Sequence, residues 1–370
     1  MNVSVLRYKF HRMANRLLLG PLFGRAVGTN LTRDLEEGMG SPDIASHVLK
    51  KRTLSKAYVQ HYDFPETFPD VFPRRAAFDD KIAYLLKDVT LSPHDGLMWL
   101  PGKTVLQQSI GSVPRFYGAL RNALGIPRPL KNGTCVVPMA DTSYYHVLIE
   151  SLAQVLHACE VQPEIKVLLE RKHHAYLDGI LDFVGIPPER RLLADNPVYA
   201  SRAVLVPRWV NGGFNLQCDL DILRQTILPR IGSSSHSKKL YLSRSRAANR
   251  PLDREHDLEQ ALAGRGFEIC FFETLPFAEQ MAAIHHADII VAPHGAGLAN
   301  LIAARPGTAV VEILSPNWFN TCYAKMAVQM GLLYRYAVTE PQSGGRFAIR
   351  VPDVLAKLDL QMTSTRNKSL

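Results

Sequence analysis

Seven short aliphatic runs constrain the fold of this chain more than any other feature. They are "TCVVPM" (134–139), "IKVLLE" (165–170), "RAVLVP" (202–207), "KLYLSRS" (239–245), "FEICFFE" (267–273), "ADIIVAP" (287–293) and "TAVVEIL" (308–314). Segments with helical periodicity separate them, and apolar strands that alternate with helices are typical of parallel sheets covered on both faces. The pattern therefore predicts an α/β fold.

The length of the chain indicates more than one domain. Its 370 residues exceed the size at which a single hydrophobic core usually stops growing. The polar, serine-rich stretch "LPRIGSSSHSKK" (228–239) marks the expected boundary. We predict a basic N-terminal segment over residues 1–50, an N-terminal domain over 51–230 with a β-rich entry segment, and a C-terminal domain over 231–370. Two such domains would bind ligands in a cleft at the carboxyl ends of their strands.

The charge balance favours anionic partners. There are 43 Lys and Arg residues against 34 Asp and Glu, a net charge of +9. The first 30 residues hold basic but no acidic side chains, and their longest apolar run is too short for a membrane span or a secretory signal. This segment either lies on the inner face of an anionic membrane or is a solvated tail. Five widely spaced cysteines are typical of free thiols in a reducing, cytoplasmic compartment.

Residues 291–314, "VAPHGAGLANLIAARPGTAVVEIL", predict a strand, a turn, a short helix and a second strand. The turn, which we call the glycine turn, consists of His294, Gly295, Ala296 and Gly297, and Leu298 follows it. Glycines there would permit positive φ and leave the amides of a helix N-terminus facing an anion. We predict that these residues bind a phosphate or carboxylate with His294 beside it. The alternative is a tight turn whose glycines serve packing and whose histidine bonds a backbone carbonyl.

A second candidate element follows the preceding apolar run. Ser243, Arg244 and Arg246 come just after a strand, with Asn249 and Arg250 beyond them. Guanidinium groups make bidentate contacts with phosphate oxygens, and alternation would point Arg244 and Arg246 the same way if the strand continues. We predict that Ser243 and these two arginines join the anion site. The alternative is a solvated basic loop.

Glu312 stands at the end of the apolar strand that follows the glycine turn. A buried strand rarely carries an acidic side chain without a partner. We predict that this carboxylate grips a sugar hydroxyl or a ribose, and the alternative is a structural ion pair.

Residues 141–160, "DTSYYHVLIESLAQVLHACE", predict a helix whose N-terminus Asp141, Thr142 and Ser143 can cap. Helical periodicity places the apolar residues on one face and His146, Glu150 and His157 nearly opposite. A histidine oriented by a carboxylate is a candidate general base for deprotonating an alcohol, and we predict that role for His146 with Glu150. The alternative is an i,i+4 pair that only supports the helix.

Three segments, "SYYHVLIESLAQVL", "LYLSRSRAANR" and "IVAPHGAGLANLIAARPGTAVVEIL", occur in the order and spacing of glycosyltransferase family 61. The chain resembles this family over roughly residues 130–335. The resemblance implies a GT-B-like pair of Rossmann-type domains whose parallel sheets face a cleft. It also implies inverting, metal-independent transfer, without a cofactor, from a nucleotide sugar such as a UDP-sugar to a hydroxyl of a glycan or glycolipid. Many bacterial members are assigned to polysaccharide synthesis, which implies a role in capsule, lipopolysaccharide or exopolysaccharide formation.

The resemblance also assigns roles to residues. Arg244 resembles the arginine that contacts the diphosphate, the glycine turn resembles the donor-site loop, and Glu312 would lie near the donor. His146 and Glu150 match the histidine and acid of the N-domain helix, although Tyr145 and Val147 flank the histidine where aromatic neighbours on both sides are common. The resemblance thus implies an acceptor domain over 51–230 and a donor domain over 231–370. We expect no Asp-x-Asp metal site of the kind that metal-dependent sugar transferases of the other common fold use.

Other function classes lack their sequence signals. An esterase would need a G-x-S-x-G nucleophile elbow, which the chain lacks. A dinucleotide-dependent oxidoreductase would need G-x-G-x-x-G after its first strand, and "AGRGFEIC" supplies neither the third glycine nor the position. The basic residues are dispersed and no nucleic-acid reader motif is present, so we expect no nucleic-acid partner. A catalytically inactive sugar- or nucleotide-binding scaffold of the same fold remains the alternative.

Overall fold

The computed structural model describes residues 42–64, 74–101, 104–106, 109, 127–140, 143–207, 215–246, 252–316, 319–341 and 347–367. The chain divides into two compact units, Met1–Gln60 with Ala76–Leu223 (unit 1) and His61–Arg75 with Arg224–Leu370 (unit 2). The predicted N-terminal membrane segment up to residue 41, the caps Asp141 and Thr142, and Asn249 and Arg250 lie outside the described residues.

The part of the chain before residue 228 carries a β-rich entry followed by alternating strands and helices. Its strands are β1 (Val48–Ser55), β2 (Tyr58–His61), β3 (Arg75–Phe78), β4 (Lys81–Leu91), β5 (Met98–Leu100), β6 (Thr104–Val105), β7 (Arg128–Pro129), β8 (Cys135–Pro138), β9 (Lys166–Glu170), β10 (Arg191–Ala194) and β11 (Val198–Leu205). Its helices are α1 (Pro42–Ala45), α2 (Leu152–Val161), α3 (Ala175–Phe183) and α4 (Gln217–Ile227), with a π-helical turn at His146–Ser151 and a 3₁₀ turn at Pro188–Arg190.

The main sheet of unit 1 is mixed. Its strand order is β10-β9-β8-β11-β4-β5-β6, with β1 also paired to β4 and β7 to β11. The pairings from β10 to β11 are parallel, as predicted, whereas β4 is antiparallel to β1, β5 and β11, and β5 to β6. The expectation of a purely parallel sheet is therefore wrong for this half. The reason is local, because the short connections that join β4, β5 and β6 can only link antiparallel strands.

Unit 2 contains the strands on either side of the glycine turn. Its strands are β12 (Lys239–Leu242), β13 (Leu252–Asp253), β14 (Glu268–Cys270), β15 (Ile289–Pro293), β16 (Ala309–Leu314), β17 (Leu333–Val338), β18 (Glu340–Pro341) and β19 (Phe347–Ala348). Its helices are α5 (Glu255–Ala263), α6 (Phe277–His286), α7 (Cys322–Gln329) and α8 (Val351–Asn367), with 3₁₀ segments at Leu228–Arg230, Phe272–Thr274 and Ala296–Ala303.

The five-stranded sheet of unit 2 is parallel throughout, in the order β14-β12-β15-β16-β17. After β12 the chain moves to one side to form β14, and it then crosses back to build β15, β16 and β17 on the other side. The winding direction reverses between β12 and β15. In a doubly wound sheet the connections leave in opposite directions at such a switch point and open a crevice beyond the carboxyl ends of the strands. Ser243 follows β12 and the glycine turn follows β15, so both flank this crevice.

The apolar runs fill the cores as expected. Every residue of β15 and β16 is buried, and each of the seven predicted runs contains a strand. All five cysteines are free thiols. Among the described residues, no helix combines the length and the apolar character needed to cross a bilayer.

Candidate functional site

The guanidinium of Arg244 lies directly on the glycine turn. Its Nη1 donates a hydrogen bond to the carbonyl oxygen of His294 at 2.7 Å. A Cβ added to Gly295 would lie 2.9 Å from Nη1 and 3.2 Å from Cδ and Cζ of Arg244. Gly295 therefore lets the arginine approach the backbone more closely than any residue with a Cβ would in this position of the guanidinium. Its φ of −178° is extended, and Gly297 is not among the positive-φ glycines, so the expected positive φ is wrong.

The last two residues of the glycine turn are the first two of a 3₁₀ helix, Ala296–Ala303. The amides of Ala296 and Gly297 begin this helix and have no acceptor within it. Leu298 is buried and its amide bonds the Gly295 carbonyl at 3.1 Å, so Leu298 supports the turn and does not contribute an amide to the site. A Cβ on Gly297 would meet nothing within 4 Å. Open space thus lies beside the first amides of the helix, which is the local geometry that suits an anion.

A buried carboxylate fixes the imidazole of His294. Glu312 is 0% exposed, and its Oε1 lies 2.5 Å from His294 Nδ1. The phenol of Tyr334 donates to Glu312 Oε2 at 2.5 Å. Burial, together with the neighbouring carboxylate, raises the pKa of Tyr334 well above its ordinary value, so the phenol keeps its proton.

Both oxygens of Glu312 are therefore engaged inside the protein. Its predicted role, gripping a sugar hydroxyl, does not fit this arrangement, since neither oxygen faces an open site. The alternative of a structural ion pair fits the contact between Glu312 and His294. The histidine ring bonds a carboxylate, not the backbone carbonyl that the packing alternative required.

Two glutamates on α5 hold the loop that carries Arg244. Glu255 Oε1 accepts from the Arg244 amide at 2.6 Å and from the Tyr241 phenol at 2.9 Å, while the Ser243 hydroxyl donates to Glu259 Oε1 at 2.6 Å. Burial raises the pKa of Glu255. Ser243 is thus an anchor of the loop. Sequence reasoning missed both glutamates, although two acids one helical turn apart after a Ser-Arg-Ser loop are a usable signal.

Arg246 does not join the glycine turn. Its guanidinium carbon lies 3.8 Å from the ring centroid of Phe271, next to the edge strand β14. The expectation that Arg244 and Arg246 point the same way is wrong, because β12 ends at Leu242 and residues 245–246 form a turn.

In unit 1, His146 and Glu150 form the predicted pair. His146 Nδ1 lies 3.0 Å from Glu150 Oε1, and the side chains are 44% and 31% exposed. His157 is buried instead, with its Nε2 3.0 Å from Asp219 Oδ1. The cause is the π-helical turn at His146–Ser151. A π-helical turn contains about one more residue than an α-helical turn, so the residues after it are rotated by roughly 100° about the helix axis. His157 therefore does not lie on the same face as His146, as it would in a regular α-helix.

Residues 219–221 read Asp-Leu-Asp, so the chain does contain one Asp-x-Asp sequence. The Lys81 ammonium lies 2.6 and 2.8 Å from the two oxygens of Asp219. Asp221 accepts a hydrogen bond from its helix neighbour Gln217. Asp219 is therefore committed to a buried ion pair with Lys81 and His157 and does not pair with Asp221 around a cation. Metal independence cannot be argued from a missing motif and stays a prediction.

A buried lysine on the helix that contacts the glycine turn was not predicted. Lys325 on α7 is 2% exposed, and burial lowers its pKa to about 7. The same helix supplies Tyr323, whose phenol donates to the Gly295 carbonyl at 2.7 Å and whose ring centroid lies 5.3 Å from that of His294. The α7 helix therefore supports the glycine turn through Tyr323.

Comparison with known proteins supports glycosyltransferase family 61. Residues 144–311 match the family model described as Glycosyltransferase 61. A β-1,2-xylosyltransferase from Oryza sativa subsp. japonica, RCN11, is 36% identical over 87 residues. That alignment covers 24% of this chain and 15% of the rice protein, so the chain spans only a small part of this relative. The family match includes the His146–Glu150 pair and the glycine turn. Together the two findings support a glycosyltransferase.

Proposed function

We propose that this chain is an inverting, metal-independent glycosyltransferase of family 61 that moves a sugar from a UDP-sugar to a hydroxyl group of a glycan or glycolipid. The finer parts of the proposal are a GT-B-like arrangement of its two units and a role in bacterial capsule, lipopolysaccharide or exopolysaccharide synthesis. The xylosyltransferase relative makes UDP-xylose the first donor to test.

The contact between Arg244 and Gly295 carries the proposal. It places a guanidinium group beside helix-start amides at the switch point of a doubly wound sheet. Guanidinium and amide groups are the usual protein partners of phosphate, and the switch point is where such sheets bind nucleotides. A sugar diphosphate carries its charge at the bond that breaks, so these groups bind the donor and stabilise the leaving group.

The chemistry needs one base and one anion site. The acceptor oxygen attacks the anomeric carbon from the face opposite the diphosphate and forms the new glycosidic bond. The bond from the anomeric carbon to the diphosphate oxygen breaks, and its electron pair leaves with the nucleoside diphosphate. The acceptor proton goes to the base, for which we propose His146 oriented by Glu150.

A nucleotide-binding assay tests the donor site. UDP and UDP-xylose should raise the melting temperature of the protein with EDTA present, because ligand that binds only the folded state stabilises it. Arg244→Ala should abolish this shift. Arg305→Ala is the matched control, since Arg305 pairs with Asp288 on the surface of the same unit. Equal stabilisation of the Arg244 variant by UDP would contradict the proposal.

A transfer assay tests the base. His146→Ala should leave UDP binding nearly intact and lower turnover by about a hundredfold or more. His173→Ala, which removes a histidine paired with Asp178 in the same unit, should keep turnover. If the wild-type protein binds UDP but transfers no sugar from any donor in a nucleotide-sugar panel to any glycan offered, the inactive scaffold is the better description.

A further inference from the structure

Three side chains form a hydrogen-bonded relay that ends at the glycine turn. The Tyr334 phenol donates to Glu312, and Glu312 accepts from Nδ1 of His294. The residues come from β17, β16 and the end of β15, which are neighbouring strands. Because Glu312 is entirely buried, its charge is not screened by solvent and acts on the imidazole next to it.

The relay fixes which nitrogen of His294 faces the site. Nδ1 is held by Glu312, so Nε2 is the ring nitrogen left for a ligand. The side chain is 10% exposed, so the ring is not fully enclosed by the protein. The backbone on either side of the ring is also fixed, because the His294 amide donates to the Ile313 carbonyl at 2.8 Å and the His294 carbonyl holds Arg244.

We infer that Glu312 and Tyr334 are positioning residues that present His294 Nε2–H to the diphosphate of the donor as a cationic hydrogen-bond donor, so that an imidazolium supplies charge that a metal ion would otherwise supply. The inference rests on the proposed function and deepens it. The buried carboxylate compensates the second proton on the ring, and the phenol satisfies the other carboxylate oxygen.

The step balances without a further reactant. When the bond between the anomeric carbon and the diphosphate oxygen breaks, the electron pair stays on that oxygen, and the hydrogen bond from Nε2–H to the diphosphate shortens as the negative charge grows. His294 need not transfer its proton. The acceptor hydroxyl loses its proton to a separate base, so the imidazolium is unchanged at the end of the cycle.

Other titratable and charged groups lie on the elements around the ring, and their effects on UDP binding must be distinguished from the effect of His294. Those on the described elements around it are Glu312, Tyr334, Tyr323, Cys322, Lys325 and Arg244. Burial raises the pKa of Tyr334 and of Cys322 well above their ordinary values, so neither titrates near neutral pH. Lys325 has a pKa of about 7, so its charge is the one that has to be distinguished from the charge of His294 as a contributor to UDP binding.

UDP binding measured by calorimetry at pH 7 tests the inference. His294→Ala should lower affinity by about tenfold to a hundredfold, because it removes a charge-assisted hydrogen bond to the diphosphate. Glu312→Gln should lower affinity too, because an amide does not compensate the second proton on the ring. Lys325→Met should bind UDP as the wild type does, and so should His286→Ala, on the surface of the same unit.

Spectra of protein labelled with ¹⁵N-histidine give a readout that needs no ligand. The His294 signal, assigned from His294→Ala, should show Nδ1 protonated with its proton far downfield, and Glu312→Gln should remove that shift. An unprotonated Nδ1, or wild-type affinity in His294→Ala together with weakened binding in Lys325→Met, would overturn the relay. Absence of UDP binding would instead overturn the proposed function, while the spectra would still decide the relay.

Discussion

Replacing Gly295 with alanine should weaken UDP binding while leaving the stability of the fold nearly unchanged. The residue has an extended backbone, with φ of −178°, which alanine adopts without strain. Its new Cβ would lie 2.9 Å from Arg244 Nη1 and 3.2 Å from Cδ and Cζ. The methyl group therefore cannot coexist with the present position of the guanidinium, and the arginine side chain has to move.

The expected loss of folding stability is smaller than the expected loss of UDP affinity. Arg244 is a flexible side chain that can move aside, and its 2.7 Å bond from Nη1 to the His294 carbonyl contributes about 1 kcal/mol of stability. A charge-assisted contact to a phosphate contributes about 1.5–3 kcal/mol, which is roughly tenfold to a hundredfold in affinity. We expect Gly295→Ala to fold with nearly wild-type stability and to bind UDP at least about tenfold more weakly.

Calorimetric titration of UDP and urea unfolding measure the two quantities. Gly232→Ala is the matched control, since a Cβ at Gly232 meets nothing within 4 Å. In a double-mutant cycle, Gly295→Ala combined with Arg244→Ala should bind UDP no more weakly than Arg244→Ala alone, because both changes remove the same contact. Wild-type affinity in Gly295→Ala, or additive losses in the double variant, would refute the reasoning.

Three further predictions concern buried charges and the metal question. Burial holds the pKa of Lys325 at about 7, below the unfolded value of 10.5, so its charged form destabilises the fold and the penalty declines as pH rises between these values. Lys325→Met should therefore exceed the wild type in stability at pH 7, and urea unfolding should show the gap closing by about 1 kcal/mol per pH unit towards pH 9.5. Lys81→Met should lower the free energy of unfolding by about 3–5 kcal/mol, because it leaves the Asp219 carboxylate buried beside His157 without its ammonium; a loss below 1 kcal/mol would show that the pair is not needed. Transfer by wild type and by Asp221→Asn should be equal with EDTA and with added Mn²⁺, and a dependence on Mn²⁺ that Asp221→Asn removes would reject metal independence.

The strands of both sheets were largely readable from local sequence. Runs such as "ADIIVAP" and "TAVVEIL" are continuous, apolar and bounded by turn residues, and they form the fully buried strands β15 and β16. Strand β17 was missed because it is only partly buried and contains Arg335, as suits the edge of a sheet. Local pattern identifies strands well when both faces are covered and less well at edges.

The parts of the site that sequence could not give depend on distant contacts or on departures from regular geometry. Glu312 was located correctly, but its partner Tyr334 comes from a neighbouring strand whose adjacency no local pattern reports. The burial of His157 depends on a π-helical turn, and helical periodicity assumes that no such turn occurs. The crevice itself follows from the strand order of unit 2, which is a property of the whole topology.

The glycine turn is organised before any ligand arrives. Its arginine lies on Gly295 and donates from Nη1 to the His294 carbonyl. Its imidazole is held by a carboxylate, and the Gly295 carbonyl by Tyr323. Groups fixed in this way lose little conformational entropy on binding and need no reorganisation as charge develops on a leaving group. Substitutions that loosen the supports, such as Tyr334→Phe, should therefore reduce the rate of transfer more than the affinity for UDP, whereas loss of Arg244 should reduce both.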